Sequence, residues 1–129
     1  MTKFYILCIL AYQAIVHGFD PRVVAAQVFV ESSFRPHVVN RGCFGLMQIS
    51  YRTWRKELNL DRSRMLEVNY NIAHGMQILQ ICMKYAKGDL WRALEIYNAG
   101  FRYDGRPYVR KIRGVMEGIK NKGEQNGIY

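Results

Sequence analysis

Glu31 stands out in this sequence because its carboxyl group lies at the end of a strongly apolar segment. Residues 28–30 (Val-Phe-Val) precede it, and two hydroxyl residues, Ser32 and Ser33, follow. A carboxyl group in an apolar environment loses hydration, which disfavours its charged form and raises its pKa toward neutrality. A general acid at physiological pH needs such a pKa. Glu31 is therefore our candidate catalytic residue, and the alternative is a glutamate that simply faces water at a helix end.

The cysteine and histidine residues form no metal-binding pattern. They are scattered along the chain: Cys8, Cys43, Cys82, His17, His37 and His74. No Cys-x-x-Cys or His-x-x-x-His pair occurs, and three cysteines at wide spacing are not typical of a disulfide framework. We predict three free structural thiols, the alternative being one disulfide bridge and one free cysteine. We expect no metal site and no cofactor.

Length and composition indicate one globular domain. The chain has 129 residues, of which 50% are hydrophobic and only three are proline, which argues against a disordered or low-complexity chain. The 19 basic and 10 acidic residues give a net charge of +9. Such a charge favours a polyanionic partner, whether nucleic acid, a membrane surface or an acidic polymer, although an ordinary basic surface is the alternative.

The N-terminal apolar segment, residues 4–16, is shorter than the roughly 20 residues that a membrane-spanning helix needs. Gly18 is suited to follow a helix C-terminus, and Asp20 with Pro21 is typical of the start of the next helix. We predict that residues 4–16 form a buried first helix of the domain. Because Lys3 precedes the apolar segment, a cleaved signal peptide is the alternative.

Residues typical of helix starts and helix ends recur along the rest of the chain. No convincing alternation of apolar and polar residues indicates a strand. The pattern predicts helices over residues 21–34, 53–58, 69–86, 90–98 and 107–119, with a turn over 61–65. We therefore predict an all-α fold. We assign residues 1–118 to one domain and residues 119–129 to a polar C-terminal tail.

Five short motifs occur in an order and at a spacing that resemble the soluble lytic transglycosylase (SLT) family of the lysozyme-like superfamily. They are ESSFRP (31–36), GLMQI (45–49), NIAHG (71–75), YNAG (97–100) and YV (108–109). The resemblance extends from about residue 12 to residue 112. It implies a single lysozyme-like α domain of about six to seven helices, with a groove for the glycan strand of peptidoglycan and one glutamate that acts as acid and base.

The resemblance also implies roles for individual residues. Glu31 is similar to the family's catalytic glutamate, and the expected substrate-binding or supporting residues are Ser32, Ser33, Met47, Gln48, Tyr97, Asn98 and Tyr108. Met47 and Gln48 match the loop that borders the sugar subsites, Tyr97 and Asn98 the motif that faces the glutamate, and Tyr108 the tyrosine near its carboxyl group. The alternatives are a purely structural role for Met47 in the core and for Asn98 at a helix end.

The acidic residues around Glu31 bear on the reaction type. A retaining glycosidase needs a second carboxylate about 5 to 5.5 Å from the acid, and an inverting one needs it at about 6.5 to 9.5 Å. No Asp or Glu occurs between Glu31 and Glu57, whereas goose-type lysozymes carry aspartates in that loop. The resemblance thus implies a transglycosylase that forms 1,6-anhydro products. A hydrolase remains the alternative, with Glu57, Asp61 or Glu67 folded back into the groove.

Peptidoglycan glycan strands are the partner that the resemblance implies, and the net charge is then best explained by attraction to the wall. Basic residues flank the predicted groove in the sequence: Arg35, Arg41, Arg52, Arg55, Arg102, Arg106, Arg110 and Lys111. We expect a monomer with no nucleic-acid partner and no membrane span. It would act at the cell wall, in the periplasm or outside, after export by a signal or release through phage holin pores. A nucleic-acid-binding domain and a non-catalytic wall-binding module are the alternatives from other classes.

Overall fold

Six α-helices and one small sheet are present in the computed structural model, which describes residues 2–125 and residue 127. In chain order they are α1 (Lys3–Val16), α2 (Pro21–Ser32), β1 (Val39–Asn40), β2 (Cys43–Phe44), β3 (Ile49–Ser50), α3 (Tyr51–Trp54), a 3-10 helix (Arg62–Arg64), α4 (Val68–Tyr85), α5 (Leu90–Ala99) and α6 (Arg106–Gln125). The predicted mostly helical fold is confirmed.

The boundary between α1 and α2 follows the predicted residues. Gly18 has a φ of 85° just after the C-cap of α1. The Asp20 side chain accepts a 2.9 Å hydrogen bond from the Arg22 backbone N–H, and Pro21 occupies the first helical position. The first N–H groups of a helix have no partner within the helix, and the Asp20 carboxylate accepts a hydrogen bond from one of them. Proline is tolerated at the first helical position because the N–H that it lacks would be unpaired there.

The first helix is buried on one face only. Ile6, Leu10 and Ala14 of α1 are buried in the core, and α1 packs against α2 and α4. On its opposite face Tyr12 and Ile15 are exposed. None of the helices in the described ranges combines the length and the apolar character that would be needed to cross a membrane.

The three-stranded antiparallel sheet was not expected from the sequence. Its strands lie in the order β1-β2-β3, with Asn40 paired to Cys43 and Phe44 paired to Ile49. Each strand has two residues, which is too short for an alternating pattern to be read from the sequence. Arg41 and Gly42, with φ values of 52° and 77°, form the two-residue turn between β1 and β2. Positive φ at both turn residues is the geometry that suits the twist of a hairpin.

Two other predictions about the elements were wrong in detail. The short helix predicted over residues 53–58 is α3, which starts earlier because the Ser50 hydroxyl caps it by accepting a hydrogen bond from the Thr53 N–H. The final helix continues to Gln125 instead of ending near Ile119. Residues 120–125 contain lysine, glutamate and glutamine, which favour helix, and no proline. Residues 126, 128 and 129 of the predicted tail lie outside the described residues, and the division at residue 118 stays a prediction.

A buried asparagine on α4 fixes the loop that contains the sheet. Asn71 is 1% exposed, and its side-chain Oδ1 accepts a 2.8 Å hydrogen bond from the Met47 N–H. Its Nδ2 donates to the carbonyl oxygens of Phe44 and Met65, at 2.7 and 2.8 Å. The side-chain amide of Asn71 thus binds three backbone groups, two in the loop of the sheet and one at Met65. These three hydrogen bonds and the underlying core together position the loop.

Candidate active site

Glu31 lies in the last turn of α2 and faces a groove of about 650 Å³. Upstream in the helix, Val24, Ala26 and Val28 are fully buried and fix the position of this turn against the core. Burial raises the pKa of Glu31 to about 8. The carboxyl group is therefore mostly protonated at neutral pH, which is the state of a general acid.

Two walls enclose the groove. One wall consists of the β1–β2 hairpin and the following residues, and it includes Asn40, Arg41, Cys43 and Gln48. The other consists of the ends of α4 and α5 and the loop after α5. Cys43 lies close enough for the charge of Glu31 to add to burial in raising the pKa of its thiol. Glu31 is thus at the base of a cleft between the hairpin and the helical part of the fold.

Tyr97 connects the two walls. Its hydroxyl donates a 2.7 Å hydrogen bond to the Met47 carbonyl oxygen, and its ring lines the groove. Burial, together with the nearby Glu31 carboxyl group, raises the pKa of Tyr97 well above its usual value. The phenol therefore stays neutral and remains a hydrogen-bond donor at all pH values of interest.

Gln48 lines the groove in a backbone conformation with a φ of 49°. Its Nε2 donates hydrogen bonds to the carbonyl oxygens of Gly45 and Val38, at 2.9 and 3.2 Å. The neighbouring Met47 points the other way, into the core, where it is fully buried. A Cβ atom added to Gly75 of α4 would collide with the Met47 side chain, so helix and loop pack in direct contact here.

Tyr108 of α6 lies beneath the groove, close to Glu31. It is 6% exposed, and burial together with the Glu31 carboxyl group raises its pKa well above the usual value. The fully buried Gln27 side chain, one turn before Glu31 on α2, lies beside the Tyr108 hydroxyl. Within the described residues, neither side chain has a partner in hydrogen-bond geometry. A polar pair in an otherwise apolar interior thus adjoins the candidate acid.

The remaining predicted residues are divided between the groove and the helix end. Asn98 is exposed and lines the groove. Ser32 is buried, and its hydroxyl donates to the Val28 carbonyl oxygen at 3.1 Å, within its own helix. Ser33 is exposed in the left-handed conformation and caps α2. The structure brings Glu31, Gln48, Tyr97 and Asn98 into one groove, whereas Ser32 and Ser33 do not line it.

Several groove residues were not singled out from the sequence as site residues. They are Asn40 and Arg41 of the hairpin, Cys43, Trp54, and the exposed aromatic residues Tyr85, Phe101 and Tyr103. Tyr85 and Phe101 make an edge-to-face contact, with ring centroids 5.2 Å apart. Phe101 and Tyr103 directly follow the Tyr-Asn-Ala-Gly motif, and two aromatic residues in a loop are a signal that could have found them.

Glu31 is the only carboxyl group among the described residues that line the groove. The three other acids considered from the sequence are outside it. Glu57 is exposed, Asp61 accepts a 2.7 Å hydrogen bond from the Ser63 hydroxyl, and Glu67 forms a 2.7 Å ion pair with Arg64. No second carboxylate is therefore available in the described groove to act as nucleophile or base.

Nowhere in the described ranges do three or more His, Cys, Asp or Glu side chains come together in a way that could hold a metal ion. All three cysteines are free thiols.

Comparison with protein-family models gives one match. The model described as "Transglycosylase SLT domain" matches residues 8–111, which is more than half of the chain. The match includes α2, the hairpin and the segments that contain all the predicted site residues. No solved structure matches the chain.

Proposed function

Since the chain belongs to the transglycosylase SLT family of the lysozyme-like superfamily, we propose that it cleaves the β-1,4 bond between N-acetylmuramic acid and N-acetylglucosamine in peptidoglycan. Glu31 is the single catalytic acid and base in this proposal, and the product carries a 1,6-anhydro ring. The family acts on the bacterial cell wall, and this is where the activity belongs. Monomeric state and a phage-type release through holin pores stay predictions.

One observation carries the proposal: a carboxyl group with a pKa of about 8 faces the groove, and no other described carboxyl group lines it. A protonated carboxyl group supplies the acid that a glycosidic oxygen needs to leave. The two-carboxylate routes need a second acid within about 10 Å. A route in which one residue acts first as acid and then as base accounts for a groove with a single, protonated carboxyl group.

The reaction proceeds in two steps with Glu31 as proton donor and acceptor. In the first, the Glu31 carboxyl group protonates the bridging oxygen, the bond between C1 of N-acetylmuramic acid and this oxygen breaks, and N-acetylglucosamine leaves with a free 4-hydroxyl group. In the second, the Glu31 carboxylate takes the proton of the C6 hydroxyl, and the C6 oxygen bonds to C1. Glu31 is again protonated at the end. No water is consumed, so no further base is needed.

The other predicted residues have supporting roles in this proposal. On opposite walls, Gln48 supplies its side-chain amide oxygen and Asn98 its side-chain amide to the sugar substituents. Tyr97 positions the loop that contains Gln48 relative to α5, through the hydrogen bond from its hydroxyl to the Met47 carbonyl oxygen. Tyr108 and Gln27 offer buried hydrogen-bonding groups near Glu31. The exposed rings of Tyr85, Phe101 and Tyr103 suit the apolar faces of sugar rings.

The test is digestion of purified sacculi by the wild-type chain and by Glu31→Gln. The amide cannot donate the proton at neutral pH, so muropeptide release is expected to stop while the fold is retained. Glu57→Gln, which changes an exposed glutamate outside the groove, serves as the matched control and is expected to keep full activity. Wild-type turnover by Glu31→Gln would refute the role of Glu31.

Product mass distinguishes the transglycosylase from a hydrolase. The anhydro product is lighter by one water molecule than the product with a reducing end. Mass spectrometry of the released muropeptides is expected to find the lighter form. If only the hydrated form were found, the chain would be a muramidase, and Glu31 would act with a base from outside the described groove. Binding to sacculi without any release would instead indicate a wall-binding module.

A further inference from the structure

Arg41 is the only basic side chain among the described residues that line the groove. Eight basic residues flank the predicted groove in the sequence, and the other seven are not among the described residues that line it. The wall therefore presents one positive charge at a defined point. This is a local feature of the cleft, distinct from the diffuse charge of +9 over the whole chain.

The backbone at this point is unusual for an arginine. Arg41 is the first residue of the two-residue turn between β1 and β2 and has a φ of 52°. Asn, Asp and Gly are the residues that such a turn favours, because a longer side chain is strained at positive φ. A strained residue at the edge of a cleft is an observation that motivates a functional hypothesis.

The guanidinium group of Arg41 has no polar partner among the described residues. It makes no hydrogen bond or ion pair with any residue in the described ranges 2–125 and 127. It forms no ion pair with Glu31, the one carboxyl group among the described residues that line the groove. The charge is therefore available to a group that enters the groove.

We propose that Arg41 is a specificity-determining residue that binds a carboxylate carried by the N-acetylmuramic acid units of the strand. This inference rests on the proposed function. N-acetylglucosamine carries no acidic group, whereas the lactyl substituent of N-acetylmuramic acid ends either in a free carboxylate or in a peptide with carboxylates of its own. A guanidinium group binds a carboxylate through two parallel hydrogen bonds, which gives geometric selectivity as well as affinity.

The experiment measures binding by chains that contain the Glu31→Gln substitution, so that no ligand is cleaved. Three ligands of equal sugar number are compared: peptide-bearing glycan strands, peptide-free strands with lactyl carboxylates, and chitin oligomers without acidic groups. Arg41→Gln is expected to weaken binding of a carboxylate-bearing strand about tenfold. Its affinity for chitin oligomers is expected to stay unchanged.

Two further variants keep the test independent of folding. Arg41→Asn introduces a residue that the turn favours, so it is expected to fold and to show the same selective loss. Lys56→Gln removes an exposed charge just after α3 that does not line the groove, and it is expected to bind all three ligands as before. If the Arg41 variants lose affinity only for peptide-bearing strands, Arg41 contacts a carboxylate of the peptide. If they lose affinity only for peptide-free strands, Arg41 contacts the lactyl carboxylate.

Two results would overturn the inference. One is unchanged binding of both carboxylate-bearing ligands by Arg41→Gln and Arg41→Asn. The other is an equal loss with chitin oligomers, which would indicate general damage to the groove. Failure of the proposed function has a different readout: the wild-type chain would then release no anhydro muropeptides from sacculi, whatever the Arg41 variants bind.

Discussion

The Tyr97 hydroxyl donates a 2.7 Å hydrogen bond to the carbonyl oxygen of Met47, 50 residues earlier in the chain. This bond joins the end of α5 to the loop between β2 and β3, and Gln48 follows Met47 directly. The width of the groove at Glu31 therefore depends on a contact between a side chain of one wall and the backbone of the other.

Tyr97→Phe tests this contact by removing one oxygen atom. Loss of a partly buried hydrogen bond is expected to lower the free energy of unfolding by about 1 kcal/mol, and a looser Gln48 loop is expected to lower kcat on sacculi. Urea unfolding and turnover assays measure the two effects. Tyr12→Phe, which changes an exposed tyrosine of α1, is the control; equal behaviour of the two variants would show that the contact does not position the loop.

Activity is expected to fall as pH rises through about 8. The reaction starts from protonated Glu31, whose pKa is raised to about 8 by burial, and the protonated fraction decreases above that value. The measurement is the initial rate of muropeptide release between pH 5 and 9 on a roughly half-unit grid. A rate that fell already near pH 5 would mean that Glu31 titrates as an exposed carboxyl group does.

The same pKa predicts how stability depends on pH. Glu31 binds its proton up to about pH 8 in the folded chain, against a reference pKa of 4.5. Between these values the folded state binds more protons than the unfolded state, so this group makes stability fall as pH rises. Glu31→Gln removes the effect and is expected to gain stability relative to wild type from pH 5 to pH 9 in urea titrations. Glu57→Gln, an exposed control, is expected to follow the wild type; if Glu31→Gln did the same, the raised pKa would be wrong.

Asn71→Ala is expected to release the loop from α4. The substitution leaves the Met47 N–H and the carbonyl oxygens of Phe44 and Met65 without their partner. Since each buried unpaired group costs about 1 to 3 kcal/mol, the free energy of unfolding should fall by about 3 kcal/mol or more. Chemical denaturation measures this, with the exposed Asn69→Ala on the same helix as control. Equal unfolding midpoints for the two variants would show that the hydrogen bonds of Asn71 do not hold the loop.

Gly75→Ala is expected to be destabilising, because the new methyl group would collide with the Met47 side chain. Overpacking of this kind costs about 1 to 3 kcal/mol. Gly118→Ala in α6 meets no atom within 4 Å and is expected to stabilise the chain by about 0.5 to 1 kcal/mol, since alanine favours helix over glycine. Thermal unfolding compares the two, and a Gly75→Ala variant stabilised like Gly118→Ala would refute the close contact of α4 with the loop.

Much of the helical framework could be predicted from the sequence, because helix boundaries depend on local chemistry. Asp20 with Pro21 marks the start of α2, and Gly18 and Gly100 follow the ends of α1 and α5. The family resemblance, which is confirmed, came from motifs that are also local strings of residues. The end of α6 was not predicted, because the residues beyond Ile119 are mostly polar and show no apolar periodicity from which a helix could be recognised.

The sequence by itself determined that Glu31 ends an apolar helix and that no acid follows until Glu57. The roles of the predicted site residues stay predictions. Only the tertiary structure decided which residues share the groove, because a two-residue strand leaves no pattern and a hydrogen bond such as that of Tyr97 to Met47 spans distant segments. It placed Arg41 in the lining and Ser32 outside it. It also decided the pKa of Glu31, because the loss of hydration at a carboxyl group depends on every segment that packs around it.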